Sequence, residues 1–226
     1  MPPEITALAP AVRDLDLTAR LAEDRARFQT ALDVPEKVMT DLDAFFSLLL
    51  DWSGRMNLVG PSARADFWSR HVLDSAQLLK VAPTARVWTD LGAGAGFPGL
   101  VLAIFLKGQP KATVRLVESM AKRCQFLTAV SLALDLPTEV HNARAESVNL
   151  SPGDVVTARA VAALPKLLQY AQPHLRGSTV GLFLKGREVE AEMAEARKNW
   201  SFEAELEPSL SGSDGHILKL QRLRRV

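Results

Sequence analysis

The feature that most constrains this chain is a glycine-rich turn set between two apolar runs. Val87-Trp88-Thr89-Asp90-Leu91 reads as a short β-strand, and Gly92-Ala93-Gly94-Ala95-Gly96-Phe97-Pro98-Gly99 comes directly after it. An apolar helix is expected from Gly99 to Lys107. Glycines in such a turn let the backbone approach a ligand closely, and the next helix offers free N–H groups. The combination calls for an open α/β sheet with its ligand outside the carboxyl ends of the strands.

The rest of the chain after residue 87 agrees. Further strands are expected at Thr113–Val117, Thr138–His141, Asp154–Ala158 and Thr179–Leu184. Helices are expected at Lys122–Leu134, Ala163–Leu175 and Arg187–Lys198. This alternation implies βαβ units and a mostly parallel sheet with helices on both faces. Phe202–Leu206 and His216–Leu220 have no helix between them, only a connection with Pro208, Gly212 and Gly215. They should form an antiparallel pair.

Before residue 87 the pattern is helical. Leu15, Leu17, Leu21 and Phe28 mark a first amphipathic stretch. Pro35-Glu36 opens a second helix, with Val38, Leu42, Phe45, Phe46, Leu49 and Leu50 at helical spacing and Ser53-Gly54 at its end. A third is expected from Ala65 to Leu79, burying Phe67, Trp68, Val72, Leu73 and Leu79, with Pro83 closing it. The expected division is a helical extension over 1–83 and an α/β domain over 84–226.

The 226 residues carry a formal net charge of +1, which at first argues against a nucleic-acid partner. The sum hides segregation. Net charge is −2 over residues 1–89, +5 over 90–187, −6 over 188–215 and +4 over 216–226. A basic face built from the strand ends of 90–187 is expected, with the acidic segment turned elsewhere. The single cysteine excludes an intrachain disulfide framework and a cysteine-rich zinc site; no metal is expected. The start lacks a basic region followed by an apolar run, and no stretch reaches the ~18 apolar residues of a membrane span. A cytoplasmic, monomeric protein without a membrane partner is expected.

The loop supports two cofactors. Gly94 to Gly99 matches G-x-G-x-x-G, a dinucleotide fingerprint. Asp90 with Gly92, Gly94 and Gly96 matches the first motif of class I S-adenosylmethionine methyltransferases. Glu118 ends the second strand, where a carboxylate accepts hydrogen bonds from ribose hydroxyls, a geometry common to both cofactors. Three features favour methyl transfer. There is one open-sheet unit without a large substrate domain. The chain ends in an antiparallel strand pair. And Arg144-Ala145-Glu146 comes after the third strand, where methyltransferases place adenine contacts.

The blocks Asn57-Leu58, Arg70-His71-Val72-Leu73-Asp74-Ser75, Asp90 to Gly99, Lys122-Arg123, Arg144-Ala145-Glu146, Arg159-Ala160 and Leu184-Lys185-Gly186 occur in the order of one family. The chain resembles, over roughly residues 38 to 220, ribosomal small-subunit methyltransferase G, also called the glucose-inhibited division protein B family. The resemblance implies a class I, Rossmann-like methyltransferase sheet with an N-terminal helical extension. It implies S-adenosylmethionine as cofactor, and guanine N7 at one site in the 530 loop of 16S rRNA in the small ribosomal subunit as acceptor. By motif position Gly92, Gly94, Phe97 and Glu118 belong to the cofactor pocket, Ala145 and Glu146 flank the adenine, and Arg159 lies between cofactor and substrate. The loop's Ala93, Ala95 and Phe97 stand where many relatives have Thr, Pro and Leu, and Glu118 stands for Asp; both departures keep the chemistry.

Guanine N7 carries a lone pair and no proton, so its methylation needs positioning rather than a general base. No catalytic residue is assigned beyond Arg159 as a candidate. The Asn/Asp-Pro-Pro-aromatic motif that shapes a site for an exocyclic amine is absent after strand four, which reads Asp154-Val155-Val156-Thr157-Ala158-Arg159. Cys124 falls inside a helix and reads as a buried free cysteine. Arg70, His71, Lys122, Arg123, Arg159 and Lys185 are candidate RNA contacts. His71 and Asp74 have the spacing of a helical His–Asp pair. The tail cations Lys219, Arg222, Arg224 and Arg225 suit an RNA arm or an edge-strand guard. The residues leave open a small-molecule methyltransferase, an NAD-binding oxidoreductase and a non-catalytic ribosome-assembly factor.

Overall fold

The computed structural model describes residues 8–56, 58–60, 64–212 and 214–226. Asn57 of the first sequence block lies outside the described residues, as does the side chain of Leu15. Two long helices come first, α1 (Leu8–Leu32) and α2 (Glu36–Arg55). A π-helical segment, Phe67–Val72, runs into α3 (Leu73–Ala76) and α4 (Leu78–Val81). The α/β part then reads β1 (Val87–Leu91), α5 (Gly99–Leu106), β2 (Thr113–Glu118), α6 (Ala121–Ala133) and β3 (Thr138–Asn142). It continues with β4 (Val155–Arg159), α7 (Leu164–Ala171), β5 (Val180–Lys185) and α8 (Val189–Ala196), and ends in β6 (Trp200–Pro208) and β7 (His216–Arg225).

The seven strands are ordered β3-β2-β1-β4-β5-β7-β6. The first five in sequence are parallel, and β7 runs antiparallel to both β5 and β6. The expected architecture is thus the one observed, with strand bounds displaced by a residue or two and a longer hairpin. The order reverses between β1 and β4, which places the switch-point crevice at the loops after these strands.

Each face of the sheet has its own core. One gathers β1 and β2 side chains (Trp88, Val114, Leu116), α5, α6 and the N-terminal helices; the other gathers α7, α8 and the C-terminal hairpin. The α5 sequence Gly-Leu-Val-Leu-Ala-Ile-Phe-Leu is apolar all round because the helix is covered all round. The sheet lies on one side and α2 and α3 on the other. The N-terminal helices therefore share a continuous core with the sheet.

The third expected helix needs a correction. Phe67, Trp68 and Val72 are buried as expected, but Leu73 and Leu79 are only partly so, while Ala76 and Leu78 take the inward positions. The π segment adds residue length within the helix and rotates the residues after Val72, a phase change that apolar spacing does not reveal. The second helix also runs past Ser53-Gly54 to Arg55.

Candidate active site

The turn after β1 folds over the end of β2. The amides of Gly92 and Ala93 donate to the Val117 carbonyl at 2.8 and 3.0 Å. The amide of Gly94 donates to Glu118 Oε2 at 3.0 Å, and that of Met120 to Oε1 at 2.8 Å. Glu118 is 4% exposed, with Arg123 Nη1 3.8 Å from its carboxylate. Asn142 at the end of β3 donates to the Glu118 and Ser119 carbonyls. The thiol of Cys124 donates to the Glu118 carbonyl at 3.2 Å; it is free and buried as expected. The turn, Glu118 and the end of β3 therefore form one rigid crevice wall.

Below the turn, Asp90 is fully buried and its Oδ2 accepts the amide of Gly99, the first residue of α5, at 2.9 Å. This satisfies one of the N–H groups that a helix start leaves unpaired. A Cβ on Gly99 would lie 2.3 Å from Leu116 and 2.6 Å from Asp90 Oδ2, so only glycine permits this approach of helix to strand. Asp90 Oδ1 is buried without a partner. Burial pushes the Asp90 carboxyl up to about 8, against the opposing hydrogen bond from Gly99.

Beside the turn, Arg159 at the end of β4 donates from Nη2 to His71 Nδ1. The His71 ring lies against Phe97 at 5.0 Å between centroids, and the Arg159 guanidinium sits 5.8 Å over the same ring. Burial, then the charges of Arg159 and Arg70, push His71 down to about 3. The expected His71–Asp74 pair does not form. Asp74 instead accepts from Ser209 at 2.7 Å, Ser211 at 2.5 Å and Gln77 at 3.2 Å. Gln77 Oε1 also accepts the Leu210 amide at 2.8 Å, so the β6–β7 connection is tied to α3 and its C-terminal end.

A cavity of about 950 Å³ opens over the ends of β4 and β5. Arg70, Asp74, Arg159, Lys185, Ser211 and His216 are among its lining residues. Two expectations fail here. The acidic segment 188–215 does not face away: Glu188 and Glu192 line this cavity because α8 starts at the carboxyl end of β5, and Asp214 does because the hairpin connection returns to that end. And Lys185 is not free for RNA, since its Nζ lies 2.5 Å from Glu192 and donates to the Ala162 carbonyl at 3.2 Å.

The structure thus sets Gly94 against Glu118 and Phe97 against His71 and Arg159 around the turn after β1, while Arg159 and Arg70 line the neighbouring cavity, which Gly92, Gly94, Phe97 and Glu118 do not. Lys122 is exposed at the start of α6 and Arg123 leans toward Glu118. Ala145 lies on the β3–β4 connection, its carbonyl taking a 2.7 Å hydrogen bond from His174 Nε2, and Glu146 beside it is exposed. The sequence reading missed the Asp74–Ser209–Ser211 cluster. Its one local signal was a Ser-x-Ser in a turn.

The family model for rRNA small subunit methyltransferase G matches residues 38–218. The chain belongs to that family. It is 54% identical to the ribosomal RNA small subunit methyltransferase G of Caulobacter vibrioides strain NA1000, over 94% of this chain and 98% of that protein. It is 44% identical to the protein of the same name from Methylorubrum populi, over 89% and 97%. Among solved structures, an O-methyltransferase from Bacillus cereus in complex with SAH superposes with a TM-score of 0.56 at 18% identity, covering 87% of this chain and 96% of that one. A SAM-dependent methyltransferase from Aquifex aeolicus gives 0.55 at 13%, covering 75% and 98%. At these identities the likeness concerns the fold, that of class I methyltransferases. No helix among the described residues is long and apolar enough to cross a membrane.

Proposed function

We propose that this chain methylates guanine N7 in the 16S rRNA of the small ribosomal subunit, using S-adenosylmethionine, and does so in the cytoplasm. Family membership over residues 38–218 carries this reading, and the crevice at the β1/β4 switch point supports it.

The residues fit an adenosyl ligand. Glu118 uses one lone pair of each oxygen on the Gly94 and Met120 amides, and a carboxylate has about four acceptor sites, so two ribose hydroxyls can still be accepted. Gly94 has φ +56° with nothing nearer than a carbonyl 3.6 Å from where a Cβ would stand, which leaves open space on the ligand side. Gly92 and Phe97 complete that wall, and Ala145 and Glu146 would hold the adenine edge. When bound, S-adenosylmethionine supplies an electrophilic methyl group.

The acceptor needs no base, because N7 has no proton to lose. His71 accords with this: a ring held near 3 stays neutral at working pH and is already engaged by Arg159. Asp90 titrates closer to neutrality but is sealed beneath α5. Arg159, fixed between Phe97 and His71, would orient the acceptor, and Arg70, Lys122 and Arg123 would meet the RNA backbone. Orientation of this kind supplies on the order of 7–11 kcal/mol.

Labelled methyl transfer onto 16S rRNA, free and within the small subunit, with mass mapping of the product, tests the reading. One 7-methylguanine per RNA is expected. Transfer to a metabolite with none to RNA would establish the small-molecule alternative instead.

A further inference from the structure

Asp74 is 9% exposed and lines the cavity over β4 and β5. The hydrogen bonds it receives from Ser209, Ser211 and Gln77 all fall on Oδ1. Among the described residues none donates to Oδ2. Arg159 faces the same cavity and feels the Asp74 charge, yet the two do not form an ion pair. Arg159 turns one nitrogen to His71 and leaves Nη1 buried without a partner. The three donors on Oδ1 hold the carboxylate in place, so the cavity meets a fixed carboxylate whose Oδ2 no described residue occupies, with Arg159 beside it.

We propose that Asp74 is the residue that recognises the acceptor base, its Oδ2 accepting from N1–H and N2–H of guanine. This rests on the guanine-N7 reading above. Guanine alone among the RNA bases places two adjacent donors on its Watson–Crick edge, the edge by which extruded bases are read. Asp74 lies three residues beyond His71, which touches Phe97 of the glycine turn. Both residues border Arg159, His71 through its hydrogen bond and Asp74 across the cavity. Methylation at N7 also places positive charge on the ring and makes N1–H and N2–H stronger donors. The carboxylate therefore binds the transition state more tightly than the ground state, the condition for accelerating the step.

Asp74→Asn tests this. The amide oxygen can still accept from the two serines and Gln77, while its N–H₂ stands where Oδ2 stood and opposes N1–H. With small subunits that lack the modification, single-turnover methylation should fall by about 100-fold. S-adenosylhomocysteine affinity and the thermal midpoint should stay at parental values. Inosine in place of the target guanosine removes N2–H, and should slow the parent about 10-fold but not the variant. The double variant Ser209→Ala with Ser211→Ala loosens the carboxylate but keeps it on its Gln77 bond, and should lose less rate than Asp74→Asn while still slowing on inosine. If the serine variant loses as much as Asp74→Asn, or if the parent ignores inosine, Asp74 is only a clamp and the inference falls. If the parent methylates RNA at another atom, the guanine-N7 reading falls with it.

Discussion

Arg159 donates a hydrogen bond to His71 across 88 residues of chain, joining the end of β4 to the π-helical segment. The bond requires Nδ1 to be an acceptor, so the ring is neutral with its proton on Nε2, which is buried without a partner. The depressed His71 value has a consequence for stability. Between about 3 and the ordinary 6.5, the unfolded chain binds a proton that the folded chain refuses. His71 therefore costs nothing above 6.5 and destabilises progressively as pH falls toward 3. His71→Gln keeps an acceptor for Arg159 and should flatten the acid limb of a urea-denaturation series by up to about 1.4 kcal/mol per pH unit. Parallel curves for variant and parent would show that His71 titrates normally.

Asp90 has the opposite sign. Its raised carboxyl is protonated in the folded chain and ionised in the unfolded one between the ordinary 3.8 and about 8. Its contribution is therefore greatest below 3.8 and is lost as pH rises toward 8. Asp90→Asn keeps the acceptor for the Gly99 amide and never ionises. Its stability relative to the parent should improve as pH is raised from about 5 to about 8, measured by urea denaturation at both ends. A relative stability independent of pH would place the Asp90 carboxyl in the ordinary range.

The glycines of the turn separate by what surrounds them. Gly92 has φ +72° and a Cβ there would lie 2.7 Å from Val161. Gly92→Val should thus unsettle the fold as well as the ligand side, so loss of binding in that variant would not isolate the cofactor. Gly94→Ala meets open space and should cost about 1 kcal/mol for its positive φ. A folded Gly94→Ala protein should bind S-adenosylhomocysteine at least about 10-fold more weakly in calorimetry. Unchanged affinity would remove Gly94 from the cofactor wall.

The sequence exposed whatever is encoded locally. The strand, glycine turn and apolar helix from Val87 to Leu106 appear in the structure nearly residue for residue, because period and turn chemistry act over a few positions. The antiparallel ending was equally legible from Phe202 and His216 with no helix between. Asp74 was not: its serine partners lie 135 and 137 residues away, and the nearby His71 offered a plausible local pair that the π-helical phase change removes. The acidic segment misled for a related reason. Glu192 looks like a solvated helix face in isolation, and becomes a cavity wall only when α8 folds back so that it meets Lys185 at the end of β5 and the Leu164 amide at the start of α7.

Lys185 supplies a direct test of that correction. Its side chain is 9% exposed, Glu192 lies 2.5 Å away, and Glu192 also accepts the Leu164 amide at the start of α7. Breaking such a pair strands the remaining charge and costs about 3–5 kcal/mol. Lys185→Met should therefore lower stability by about 3 kcal/mol in urea denaturation. It should leave the salt dependence of RNA binding unchanged, because a cation already paired with Glu192 releases no counterion from phosphate. The exposed Arg70 provides the contrast: Arg70→Gln should keep the fold and reduce the salt slope by about 1. A Lys185→Met protein of parental stability with a reduced salt slope would return Lys185 to the RNA face.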